Sequence, residues 1–340
     1  FETSTGRVFN YPMFLAKDGI VYQLAFAEVE STGENRGNIL KASAIYLKHL
    51  YLQGVGQALP EPAAALAGGI TVGDKRSLGA ELSQVFINVS LIHIVVLSGY
   101  NMTVVINAAA HALAFIPRSA QFAVSGGIVA LFILMTGGAS SAMRAGSMAL
   151  LATYARLSGR TFVALRVLAF VAGAMVLWNP YILAFDPGFQ LSILATLGLV
   201  LFTEPIAKWL PWIPERFALR EIAASTLGTQ IAVLPLLLYQ NGILSLVALP
   251  ANLLTLAVVP LAMLFSFVAA ISGIIFGSYA TILALPAYAL LSYIISVAEL
   301  LSDIPYASVT VPVFNGWLLA FMYPVLFAVY MHLQRRTAEH

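Results

Sequence analysis

Residues 84–116 read QVFINVSLIHIVVLSGYNMTVVINAAAHALAFI. The run is long enough to cross a bilayer and holds no Asp, Glu, Lys or Arg, yet it carries His93, Ser98, Asn101, Asn107 and His111. Polar groups at membrane depth cost free energy unless they meet a partner or water. On one continuous helix, His93, Asn101, Asn107 and His111 share an arc of roughly 120°. Two readings follow. One is polar contact between helices, with Gly99 permitting close approach. The other is a wet face along a passage.

The rest of the chain supports a membrane setting. Of its 340 residues, 60% are hydrophobic and 9% charged, where soluble domains are nearer a quarter charged. The expected fold class is therefore an all-α polytopic membrane protein, with eight or nine transmembrane helices and one re-entrant or broken segment. Charge is concentrated before residue 82, which divides the chain into three. Residues 1–37 form a small β piece, in which RVFNYPMFLA and IVYQLAFAEVE flank a hairpin turn at Lys17-Asp18-Gly19. Residues 38–83 form a helical and small-residue connector, and residues 84–336 the transmembrane domain. Two strands do not make a stable domain. With Phe1 in first place and no leader pattern, further N-terminal sequence is expected.

The spans are expected at 84–116, 120–136, 140–157, 163–178, 188–203, 222–240, 260–277, 281–301 and 316–333. The apolar piece 243–258 carries Pro250 and Asn252 and reads as re-entrant. On that layout one side receives Arg118, Arg156, Arg160, Arg166, Lys208, Arg216, Arg220, Arg335 and Arg336, and the other receives Asp186 and Asp303. The positive side is expected to be cytoplasmic, the N-terminal piece external and the C-terminus inside.

Further polar groups sit in apolar runs. In GGASSAMRAGSMALL, Ser140, Arg144 and Ser147 project to one face. Arg144 either snorkels to the interface or takes a partner. Asp186 is the candidate, and an unpaired Arg144 would suit anionic cargo. In DPGFQLSILATLG, Asp186 before Pro187 also fits a helix cap, whereas Gln190 and Ser192 enter an apolar run. Gln230 and Asn252 complete the polar set.

Several chemistries are excluded. There is no cysteine, no HExxH, no His-x-His and no GxxxxGK[ST], so disulfides, these metal sites and P-loop nucleotide chemistry are absent. Ser98 and His93 do not share a helix face, and no acid completes a triad. No catalytic residue, cofactor or metal is expected.

Four blocks in order resemble the ComEC competence family of bacterial inner-membrane DNA-uptake channel proteins. They are LIHIVVLSGYNMTVV, GGASSAMRAGSM, NPYILAFDPGFQLSILAT and TLGTQIAVLPLLLYQNGILSLVALPANLL. The lead-in LPEPAAALAGGITVGDKRSLG is also similar, so the resemblance covers roughly residues 55–260. It implies an OB-like external domain, of which residues 1–37 would be a truncated tail. It also implies passage of single-stranded DNA into the cytoplasm during natural transformation. His93, Ser98, Gly99, Asn101, Arg144, Asp186, Gln190, Ser192, Gln230 and Asn252 would line or shape the path. The implied partners are single-stranded DNA, the bilayer, a cytoplasmic motor and external DNA-receptor proteins, with homo-oligomerisation open. Two departures matter. The family's second histidine of the first block is Asn101 here, and the metallo-β-lactamase-like domain of many members is not in this sequence. The alternatives are a secondary transporter of an anionic small molecule or lipid, and an intramembrane hydrolase using Ser98.

Overall fold

The computed structural model describes residues 6–7, 9–24, 28, 37–74, 76–95, 99–112, 115, 117–215 and 218–338. In chain order the helices are α1 (Tyr11–Ala16), α2 (Ile39–Ala58), α3 (Ala63–Val72), α4 (Gly79–Asn88), α5 (Ile92–Val95), α6 (Gly99–Ala112), α7 (Arg118–Met135), α8 (Ser140–Leu157), α9 (Ala164–Trp178), α10 (Tyr181–Phe185), α11 (Pro187–Trp209), α12 (Leu219–Gln240), α13 (Ala248–Thr255), α14 (Val259–Phe276), α15 (Thr281–Ser302) and α16 (Gly316–Ala338). Two short strands, β1 (Ile243–Ser245) and β2 (Ser308–Thr310), pair antiparallel, with Ile243 opposite Thr310 and Ser245 opposite Ser308.

The helical membrane class holds, but the number of uninterrupted spans does not. Three stretches are long and apolar enough to cross a bilayer: Pro187–Trp209, Leu219–Gln240 and Val259–Ser302. The last folds back on itself as α14 and α15, joined by a 3₁₀ turn. Other apolar helices, among them Ala63–Val72 and Ala164–Trp178, are shorter. Large apolar side chains such as Phe170, Leu177, Ile275, Ile282 and Phe321 lie on the outside, as lipid contact requires. Trp178 and Tyr181 near one end of the bundle, and Trp209 and Trp212 near the other, are exposed, as in an interfacial aromatic belt.

The N-terminal hairpin is not formed among the described residues. Residues 11–16 are helical instead, because Asn10 Oδ1 accepts the Met13 amide at 3.3 Å and a proline occupies the first turn. The turn at Lys17–Gly19 is present and closes that helix. The connector is also more central than expected. Every residue of α3 is buried, and α2 and α3 join α14 and α15 in the largest apolar core.

One end of the bundle can be traced through its contacts. The Ser140 hydroxyl meets Asp186, so α8 and α11 begin together. Gln240 Nε2 donates to Gln190 Oε1 at 2.6 Å, so α12 returns to that end. β1 and β2 lie there, and the rings of Tyr239 and Phe314 meet 5.9 Å apart. From there α16 descends, with Tyr323 hydroxyl to Ala232 oxygen and Tyr330 against Phe202. Both β1 and β2 sit at one end, so 243–258 enters and leaves on the same side. Lys208, Arg220 and the end of α16 share the opposite end.

Close packing of α11 on α12 rests on two glycines. A Cβ at Gly198 would come within 2.7 Å of Ala232 Cβ, and one at Gly228 within 3.0 Å of Gly198 oxygen. Where lipid offers no hydrophobic drive between helices, such close backbone approach supplies the dispersion contact.

Candidate functional site

The run 84–116 is a broken segment, not one span. The chain leaves α4 and turns at Ser90 in the left-handed region (φ 61°) before α5; residues 96–98, between α5 and α6, lie outside the described residues. The break at Ser90 precedes His93, and the expected arc of His93, Asn101, Asn107 and His111 runs across residues 96–98. His93 sits on α5 with Nδ1 2.8 Å from Ser90 oxygen. Ser98 and the side chains of Asn107 and His111 lie outside the described residues.

Asn101 holds the break together. It is fully buried, and its Nδ2 donates to Ile70 oxygen at 3.0 Å and Ile94 oxygen at 2.9 Å. The Ile70 carbonyl stands in the last turn of α3, where no intrahelical donor follows. Asn101 is thus a structural polar group. Gln190 is another: Nε2 reaches Leu183 oxygen at 2.8 Å and Ala184 oxygen at 3.1 Å, closing α10.

Arg144, on the second turn of α8, is 7% exposed. Its Nε donates to Ser192 Oγ at 2.6 Å and its Nη1 approaches Met148 Sδ at 3.3 Å. Nη2 lies against the start of α6, 3.0 Å from where a Cβ on Gly99 would stand. Any side chain there would crowd the guanidinium. Among the described residues no carboxylate lies within ion-pair distance of Arg144.

The expected Arg144–Asp186 pair is corrected by this geometry. Asp186 caps α11, with Oδ1 accepting the Gly188 amide at 2.9 Å and the Phe189 amide at 3.3 Å. Its Oδ2 accepts the Ser140 hydroxyl at 2.5 Å and lies 3.8 Å from Lys17 Nζ. Pro187 at the first helical position makes Asp186 the natural cap, and capping directs the carboxylate away from Arg144. A buried charge left without a counter-charge is expensive, roughly 3–5 kcal/mol when a pair is broken.

Across from α6 the re-entrant helix α13 ends inside the bundle. Its terminal carbonyls are taken by hydroxyls from two other helices: Tyr100 to Leu256 oxygen at 3.1 Å, and Tyr293 to Leu254 oxygen at 3.2 Å. Asn252 in α13 is 5% exposed, and its Oδ1 has no donor. Gln230 is half-buried in α12. Gly99, Arg144 and Ser192 thus come together, with α13 brought close through Tyr100. Asp186, Gln190 and His93 serve neighbouring turns and caps instead.

Two features escaped sequence reasoning. Arg7 is buried in a ring of carbonyls at the end of α12 and beyond β2, with Nε 3.0 Å from Leu238 oxygen and Nη2 2.8 Å from Val311 oxygen. Lys48 of α2 lies 3.5 Å from Asp74, which also accepts the Ser77 hydroxyl. For the second, the available signal was Lys48 followed by the Asp74-Lys75-Arg76 charge cluster after α3. Nothing local marks Arg7, whose acceptors are over 200 positions away. Among the described residues no group of His, Asp and Glu is placed to hold a metal ion.

Comparison with known proteins agrees with the four sequence blocks. The model of the "Competence protein" family matches residues 70–336, from the end of α3 through α16. The chain belongs to the Competence protein family. A member of related sequence, "ComE operon protein 3" of Bacillus subtilis (strain 168), is 22% identical over 251 residues. That alignment covers 72% of this chain and 31% of the relative, so the chain spans about a third of the protein it resembles. No solved structure matches. The Competence match takes in the broken segment, the Arg144 helix and the re-entrant helix together.

Proposed function

We propose that this chain is the membrane conduit through which one DNA strand enters the cytoplasm during natural transformation. Membership of the Competence family supports a role in DNA uptake. The observation that carries the conduit reading is the guanidinium of Arg144, buried between α8, α11 and α6 with no carboxylate within ion-pair distance among the described residues. Irregular backbone at membrane depth is tolerated where it is buried in protein or lines a wet cavity. An intramembrane ionisable residue there points to cargo. The chain performs no chemistry on the strand. Movement is supplied by a cytoplasmic motor, and delivery by external receptor proteins. The end bearing Asp186, β1 and β2 faces outward, and the end bearing Lys208 and Arg220 faces the cytoplasm, in accord with positive-inside bias. In a transformable strain, Arg144→Gln should abolish uptake at normal membrane levels. Normal transformation in that strain would reject the role assigned to Arg144.

A second reading is a secondary transporter of an anionic small molecule, favoured by the meeting of two interrupted helices. Liposomes separate the two. Passage of a labelled oligonucleotide supports the conduit, and counterflow of a small anion supports the transporter.

A further inference from the structure

We infer that Arg144 receives a phosphodiester oxygen of the passing strand, so that at this level the conduit engages the backbone and not the bases. The inference rests on the conduit reading and specifies what its cation touches. The guanidinium is more than nine-tenths buried, and two of its nitrogens are already directed: Nε by the Ser192 hydroxyl and Nη1 by Met148. These contacts hold the plane of the group but supply no negative charge. The third nitrogen, Nη2, has no acceptor among the described residues and faces Gly99 of α6.

The obvious anions are occupied elsewhere. The Asp186 carboxylate is committed to the α11 cap, Ser140 and Lys17. The α13 carbonyls that approach this region are taken by Tyr100 and Tyr293. A buried guanidinium without a counter-charge demands an anion. A phosphate oxygen meets that demand through a charge-assisted N–H bond. A base edge, neutral and variable, does not. The nearest described cation, Lys17, is held by Asp186 and Asp18, so the contact stays single, and a single contact holds a strand in register without arresting it.

The test uses the full chain in maltoside micelles, with fluorescent oligothymidylate and its methylphosphonate analogue, whose backbone is uncharged. Wild type should bind the phosphodiester strand more tightly than the analogue. Arg144→Gln should weaken the phosphodiester complex about tenfold, the worth of one hydrogen bond to a charged group, and leave the analogue complex unchanged. The salt dependence of phosphodiester binding should become shallower by about 0.7 in the log–log slope, one counterion's share for a single strand. Equal weakening of both probes would make Arg144 merely structural. Equal wild-type affinity for the two backbones would remove the phosphate contact and leave the conduit standing. Failure of wild type to bind either strand would defeat the conduit reading, and this inference with it. A phospholipid co-purifying with wild type but not with Arg144→Gln, at equal oligonucleotide affinity, would assign the site to a lipid headgroup. The comparison of the two backbones on wild type needs no variant to fold.

Discussion

Asn101 and Arg144 illustrate how differently two buried polar side chains can act. Asn101 satisfies the carbonyls of Ile70 and Ile94. Its replacement by Ala strands both, at about 1–3 kcal/mol for each unsatisfied group. Asn101→Ala should therefore lower the thermal unfolding midpoint in detergent. A midpoint equal to wild type would show that water or another donor replaces it. Arg144 works in the opposite sense, since it is held by Ser192 and still lacks a counter-charge. Its type and burial were legible in the run GGASSAMRAGSM. Its partner was not, because Asp186 is equally well placed in sequence to cap α11 or to reach Arg144. Only the direction of the carboxylate decides.

Among elements, the α11–α12 pair carries the tightest backbone approach near the site. Gly228→Leu would place a branched side chain against Gly198 oxygen, Phe202 Cβ and the Thr203 amide. Overpacking of this kind costs about 1–3 kcal/mol and would push α11 away from α12. Since Ser192 rides on α11, the change should loosen Arg144 as well. We expect Gly228→Leu to reduce transformation even where membrane levels are preserved, with Gly228→Ala intermediate. Full uptake with Leu would mean that the pair tolerates separation. The N-terminal strap is a second element with a defined seat. Arg7→Ala removes hydrogen bonds to carbonyls of α12 and of the stretch after β2. Residues 9–24 should then become sensitive to added protease in intact membranes. Equal protection in wild type and variant would show that α1 alone holds the strap. The helices themselves were largely foreseen from apolar run length. The break at Ser90 inside 84–116 was not, because a serine in an apolar run is compatible with a continuous helix.

For the molecule as a whole, the pairing of β1 with β2 sets the topology. It puts both ends of the 243–302 stretch at one end of the bundle, from which α16 runs to the opposite end. The native chain has no cysteine, so single-cysteine labelling reports on this directly. Thr310→Cys should react with an impermeant maleimide added outside cells, and Ser158→Cys only after the membrane is opened. The reverse pattern would invert the molecule, and labelling of both from outside would break the assigned topology.

The sequence by itself determined the membrane class, the family and the polar residues that apolar runs retain. All of these follow from composition and local order, which the bilayer reads residue by residue. Tertiary structure decided which polar groups cap helices, which stitch broken ends together, and which one is left holding charge. Those outcomes depend on hydrogen bonds between residues tens to hundreds of positions apart, and no local pattern encodes the direction in which a buried carboxylate or guanidinium finally points.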